Sequence, residues 1–218
     1  MEFPVLSGVL RLSTKYNVKG LRQIAMSHLN NAYPITLEAW DKRDAALPFS
    51  PEECPPIAVM QLAREANVPN ILPIVMYCCS IRSLADILDG VTWNGTHFAL
   101  SSTDQRTCLI ARQALLTAKR RTVSTFLNPF EGITVCGTRA ACNTGRLRAV
   151  FTNEDDADGC DPLWDRFDWD GYASTVCPSC LAASKTSYKN SRTTVWADLP
   201  GLFDLPRWAQ VKASDGSK

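Results

Sequence analysis

No stretch of this sequence holds the roughly 20 consecutive apolar residues of a bilayer-crossing helix. Its amino end, MEFPVLSGVLRLSTKY, has neither a basic flank ahead of an apolar run nor the small-residue cleavage site of a secretory leader. An intracellular protein of the cytoplasm or nucleus, without a membrane partner, is therefore expected. A basic excess is missing too: 23 Lys and Arg stand against 22 Asp and Glu, which argues against a polyanion-binding chain. The compact basic run, Lys119-Arg120-Arg121, reads as a solvated helical face, and no nucleic-acid partner is expected. Histidine is scarce, and neither His28 nor His97 has a Ser or Asp nucleophile set beside it, so a catalytic triad has no support. No catalytic or cofactor-binding residue can be named.

What is abundant is helical periodicity. Pro4 suits a first turn, and Val5, Leu6, Val9, Leu10 and Leu12 form a broad apolar face that stops near Lys15-Tyr16-Asn17. Val18 to Leu29 follows with Leu21, Ile24, Ala25 and Leu29 at helical spacing, so two antiparallel neighbours are expected to bury their stripes together. Thr36 to Trp40 reads as a helical turn. Ser50-Pro51-Glu53 reads as a capped start for a helix carrying Ile57, Ala58, Leu62 and Ala66. Another helix runs from Pro69 to Cys79, and a short one from Ser83 is stopped by Gly90. VTWNGTHFAL holds the clearest turn signal, Asn94-Gly95 between two β-prone runs, predicting a hairpin near 91–100. Ser102-Thr103-Asp104-Gln105 reads as a capping box for a helix to about Leu127 with Leu109, Leu116, Val123 and Phe126 inward.

From Asn128 to Thr175 the pattern breaks, with Pro, Gly, Asp and Asn scattered among Cys136, Cys142, Cys160, Trp164 and Trp169. So long an irregular stretch needs something other than an amphipathic core to hold it. Glu154-Asp155-Asp156-Ala157-Asp158-Gly159 has the look of a calcium loop. It starts on Glu, however, has Pro162 at a ligand position and ends on Asp165, so it reads as a solvated acidic turn. The fold class expected is mainly α: a helical, bundle-like array with one small hairpin and an irregular Cys-containing C-terminal region, closed by a long helix near 178–197.

Nine cysteines without an export signal favour reduced thiols over a disulfide framework. Cys136-x5-Cys142 and Cys177-x2-Cys180 are two close pairs, the number of sulfurs a structural zinc site wants. The first pair is wider than usual, and Cys160 is a fifth candidate. Four small buried thiols without metal is the plain alternative. A thiol–disulfide centre at Cys177/Cys180 is another, although the polar DGYASTV before it is unlike the buried strand such a centre follows.

VLRLSTKYNVKGLRQIAMSHL resembles the closing helix pair of the BTB/POZ domain. The order TLEAWD, PPIAVMQLAREANVPNILPIVMYCC, DGVTWNGTHFALSSTDQRTCL, the paired cysteines and WADLPGLFDLPRW is similar to a large fungal group of BTB/POZ-domain proteins, over nearly the whole chain. The resemblance implies three regions: a BTB-like C-terminal helix pair at 1–34, a helical middle at 35–127 and the Cys-containing region at 128–218. Met1 falls just before the helix pair, so the strand-rich first half of that domain is not expected here. The resemblance further implies a non-enzymatic protein-interaction module, an adaptor or regulatory scaffold. Its partners would be other proteins, by self-association or among ubiquitin-ligase or transcriptional components. The rivals are the thiol oxidoreductase and a truncated gene product with no activity of its own.

Overall fold

The computed structural model describes residues 1–43, 54–121, 123–128, 136–152, 160–163 and 167–215. The helix start at Ser50-Pro51-Glu53, the acidic turn at 154–159, Asp165 and Trp164 lie outside them. The chain forms two compact units, one from residues 1–111 with 198–218 and one from residues 112–197. Among the described residues the structure shows the mainly α class with one hairpin.

In the first unit, α1 (Phe3–Lys15) and α2 (Lys19–Ala32) pack as neighbours. Asn17 makes the turn between them: it sits at φ 54, and the Val18 N–H then closes back on the Ser13 carbonyl at 2.9 Å. Asparagine tolerates this left-handed position better than most residues, which is why the helix stops there. The same device ends α4 (Pro56–Glu65), where Asn67 has φ 51 and the Val68 N–H reaches the Ala63 carbonyl at 2.9 Å. The expected faces of α1 and α2 hold only in part. Phe3, Leu6, Leu10, Ala25 and Leu29 are buried, but Val5, Leu12, Leu21 and Ile24 are about half exposed, with Tyr16 and Val18 beside them in sequence. The apolar stripe is wider than the face that found a partner.

The core of this unit is α4 with α5 (Leu72–Ser80), entered through a 3-10 turn at Pro69–Ile71. Ile57, Met60, Leu62, Ile74, Met76 and Tyr77 are fully or almost fully buried. A helix apolar all round is one covered on every side. The 3-10 turn Leu199–Phe203 packs on α5, and α11 (Trp208–Asp215) on the turn at 69–71. Short capped helices fill the edges: α3 (Leu37–Lys42), whose Thr36 hydroxyl accepts from the Ala39 N–H, and α6 (Leu84–Asp89), whose Ser83 hydroxyl accepts from the Asp86 N–H. β1 (Val91–Trp93) and β2 (Thr96–Phe98) pair antiparallel in the register Val91↔Phe98, with Asn94 and Gly95 both at positive φ, as the tight turn requires.

α7 (Ser102–Arg121) carries the chain into the second unit. Its cap lies one residue earlier than expected. The Ser101 hydroxyl accepts from the Asp104 N–H at 3.1 Å and donates to the Asp104 carboxylate at 2.9 Å, which also takes an ion pair from Arg64. The buried face correspondingly falls on Cys108, Ala111 and Leu115, while Leu109 and Leu116 are only half-buried. Phe126 is buried as expected; the side chain of Val123 lies outside the described residues.

The stretch from 128 to 175 corrects a second expectation. It contains α8 (Arg139–Thr152) and the short α9 (Trp169–Ala173), ahead of α10 (Pro178–Asp198). α8 escapes a periodicity reading because its buried face is Cys142, Gly145, Arg146 and Ala149, whereas its large apolar Leu147 is 52% exposed. Nor is this unit without an apolar core. Phe126 sits at the middle of a ring cluster, with centroids 5.0 Å from Phe167, 5.4 Å from Trp169, 6.0 Å from Tyr172 and 5.4 Å from Tyr188, mostly edge to face. α10 supplies its inner wall at four-residue spacing through Cys180, Ser184, Tyr188, Arg192 and Trp196. The polar members are tied: the Tyr172 and Ser184 hydroxyls share a hydrogen bond of 3.1 Å, and the Arg192 guanidinium donates to the Leu163 carbonyl at 2.6 Å.

Candidate metal centre

The two cysteine pairs are brought together at two helix amino ends. Cys136 lies outside regular structure, and the turn at Gly137-Thr138 followed by the first turn of α8 folds Cys142 back towards it. The five-residue spacing that looked too wide is thus a turn plus one helical turn. Cys177 directly precedes α10, with Pro178 at the first helical position and Cys180 in the opening turn. The sulfurs of Cys136, Cys142, Cys177 and Cys180 all lie within 4.8 Å of one another. Those of Cys136 and Cys177 are 3.9 Å apart. A tetrahedron of thiolates around a metal at about 2.3 Å has edges of about 3.8 Å, whereas a disulfide needs about 2.05 Å. No disulfide links any of the nine cysteines. The four sulfurs therefore stand as a set that could bind a metal ion.

The surroundings of the sulfurs fit that use. The Cys177 backbone N–H donates to the Cys142 sulfur at 3.2 Å, and the Thr138 hydroxyl shares a hydrogen bond of 3.3 Å with the same atom. Burial works against ionising Cys142, yet these bonds and those of the Cys136 and Cys177 thiols outweigh it and draw its pKa down to about 6. Burial, together with hydrogen bonds to Cys136, Cys177 and Cys142 that hold its proton, pushes the Cys180 thiol up to about 12, with the Arg146 guanidinium working against them. Four sulfurs so close cannot all shed their protons against one another's charge; a divalent cation among them would take the place of the protons. Arg146, 2% exposed and one turn beyond Cys142, donates to Asn143 at 3.3 Å. It places a buried positive charge beside a site that carries two net negative charges when four thiolates hold a divalent ion.

Cys160 does not join the set. Its sulfur accepts from the Arg112 guanidinium at 2.9 Å, and burial raises its pKa. Thr138, Gly145 and Arg146 carry no motif of their own in the sequence. Thr138 had a faint signal, a capping residue just ahead of a cysteine-bearing helix.

Gly145 has the sharpest steric role. A Cβ there would run into the Thr175 carbonyl oxygen and stand 2.8 Å from its Oγ1, so α8 can lie this close to the turn before Cys177 only without a side chain. Gly145→Ala should gain about 1 kcal/mol from helix propensity alone. The contact reverses that sign: we expect a net loss of about 1–3 kcal/mol and weaker metal binding, read by thermal melts and zinc competition. A stabilised variant would show that the close approach is dispensable.

No protein-family model, no curated protein and no solved structure matches this chain. Among the described residues, no helix is long and apolar enough to cross a membrane.

Proposed function

We propose that this chain is a non-enzymatic protein-interaction scaffold whose second unit is closed by a structural zinc ion. The observation that carries the reading is the set of four mutually close sulfurs. Four protein ligands complete a tetrahedral zinc and leave no position for water or substrate, which is the pattern of a structural rather than a catalytic site. Zinc suits an all-thiolate tetrahedron better than harder divalent ions do. The thiol oxidoreductase reading fits less well. Cys142, which lies outside the Cys177-x2-Cys180 pair, is the thiol whose pKa is drawn down, whereas such a centre needs its attacking thiol within the pair.

The interaction half of the reading is supported by the half-exposed apolar side chains of α1 and α2, above all Leu12, Leu21 and Ile24. The likeness of this helix pair to the close of a BTB/POZ domain points the same way, towards an adaptor that engages other proteins or a second copy of itself.

Metal analysis of the purified chain tests the first half. One zinc per chain is expected, and Cys136→Ser or Cys177→Ser should each cost the site at least about 100-fold in affinity, a ligand being worth no less than an outer-shell partner. Zinc-free protein that reduces insulin disulfides, with the activity lost in Cys177→Ser, would overturn the reading in favour of the oxidoreductase. For the second half, sedimentation of the chain and of its Leu12→Asp/Leu21→Asp variant should show association in the first and none in the second. A monomer in both would remove self-association from the proposal.

A further inference from the structure

The four sulfurs of the centre are not equally reachable. Cys142 and Cys180 are buried, each 1% exposed, whereas Cys136 and Cys177 are only half-buried. The two reachable sulfurs come from different segments and stand 3.9 Å apart. Forming a disulfide between them requires an approach of roughly 2 Å, to about 2.05 Å. Cys136 is the sulfur best placed to make that move. It precedes α8 outside regular structure, while Cys180 is held within the first turn of α10 and Cys142 within that of α8.

We propose that Cys136 and Cys177 are an oxidation site for hydroperoxides, forming a disulfide that ties the start of α8 to the start of α10 and opens the metal centre. The inference rests on the structural-zinc reading only for what is released. A thiolate of the pair attacks the terminal oxygen of the hydroperoxide, breaking its O–O bond to give a sulfenic acid and expelling the alkoxide, which is hydroxide for hydrogen peroxide. The second thiolate then attacks the sulfenic sulfur, forming the S–S bond and expelling hydroxide. Two thiolates lose two electrons in all, and the peroxide gains them. With two of its four ligands withdrawn, the ion is left on Cys142 and Cys180 alone and is released.

The sequence provides its own readout. Trypsin cleavage after Arg121, Arg139, Arg146, Arg166 and Lys185 places Cys136 in peptide 122–139, Cys142 in 140–146, and Cys177 with Cys180 in 167–185. Metal-loaded full-length protein is treated with hydrogen peroxide, alkylated, digested and mapped by mass spectrometry, while a chromogenic chelator follows released zinc. Peptide 122–139 joined to 167–185 is expected to dominate, with Cys180 alkylated and fragmentation at the Cys177–Pro178 bond placing the link on Cys177. Zinc release should rise in step with that species. An internally oxidised 167–185, a link to 140–146, or four unmodified thiols would overturn the proposal. Metal content measured before the peroxide separates the two readings. A chain that never held zinc defeats the structural-metal reading whatever its disulfides, and a zinc-loaded chain with the wrong linkage defeats this inference alone.

Discussion

Stripping the proposed zinc from the centre should unfold the second unit and leave the first unit standing. A chelator strong enough to compete with thiolates, or a mercurial that titrates them, removes the ion. Hydrogen exchange then reads each helix separately. Protection in α8 and α10 should collapse, while α4 and α5, whose buried side chains belong to the other unit, keep theirs. An ion present at 1,000 times its dissociation constant stabilises the folded state by about 4 kcal/mol, a large share of what a domain of this size has to lose. Acid acts in the same direction, because each thiolate must take up a proton as the metal leaves. For Cys142 the sign is explicit. Its folded-state pKa is drawn down to about 6, so folding favours the thiolate; that contribution is complete above the ordinary thiol range and fades as the pH falls towards 6. Unchanged protection in α8 and α10 after complete chelation would mean that the sulfurs are packed thiols and not the closure of this unit.

The helices legible from the sequence are those in which large apolar residues mark the buried face and a stop residue marks the end. Asn17 and Asn67 end α1 and α4 because they accept the left-handed turn. Thr36 and Ser83 start their helices, and Asn94-Gly95 turns the hairpin. In each case the chemistry is local. The failures have one cause, that burial depends on partners a periodicity argument does not see. α1 and α2 carry more apolar surface than they bury, so Val5, Leu12, Leu21 and Ile24 read as core and are not. α8 shows the reverse. Its face is made of a cysteine, a glycine, an arginine and an alanine, with Cys142 set against the other three sulfurs and Gly145 against Thr175. No hydropathy pattern contains that face. The centre itself was partly legible, since the spacing of Cys177 and Cys180 carries its meaning in the sequence. That Cys136 and Cys142 complete the set, and Cys160 does not, depends on a turn and a helix that composition made look irregular.

Phe126→Ala should be the most damaging single substitution in the second unit outside the cysteines. Four rings meet Phe126 at centroid distances of 5.0–6.0 Å, and its side chain is 2% exposed. Removing it leaves a cavity at the middle of the cluster and costs about 3–5 kcal/mol. Where that loss appears tells how the rings and the sulfurs share the unit. Both act on α10, Tyr188 through the ring cluster and Cys180 through the centre, eight residues or about 12 Å apart along the helix axis. If the unit is unfolded without metal, binding the ion must also fold it, and the lost packing is charged against affinity. Phe126→Ala should then weaken zinc binding by about two to four orders of magnitude, with the ligand set and the spectrum of a cobalt-substituted centre unchanged. Competition against a chelator of known affinity measures the first, and visible absorption the second. Full zinc affinity in Phe126→Ala, alongside a lowered melting temperature of the metal-free protein, would show that the rings hold the unit by themselves and that the metal is added to a frame already built.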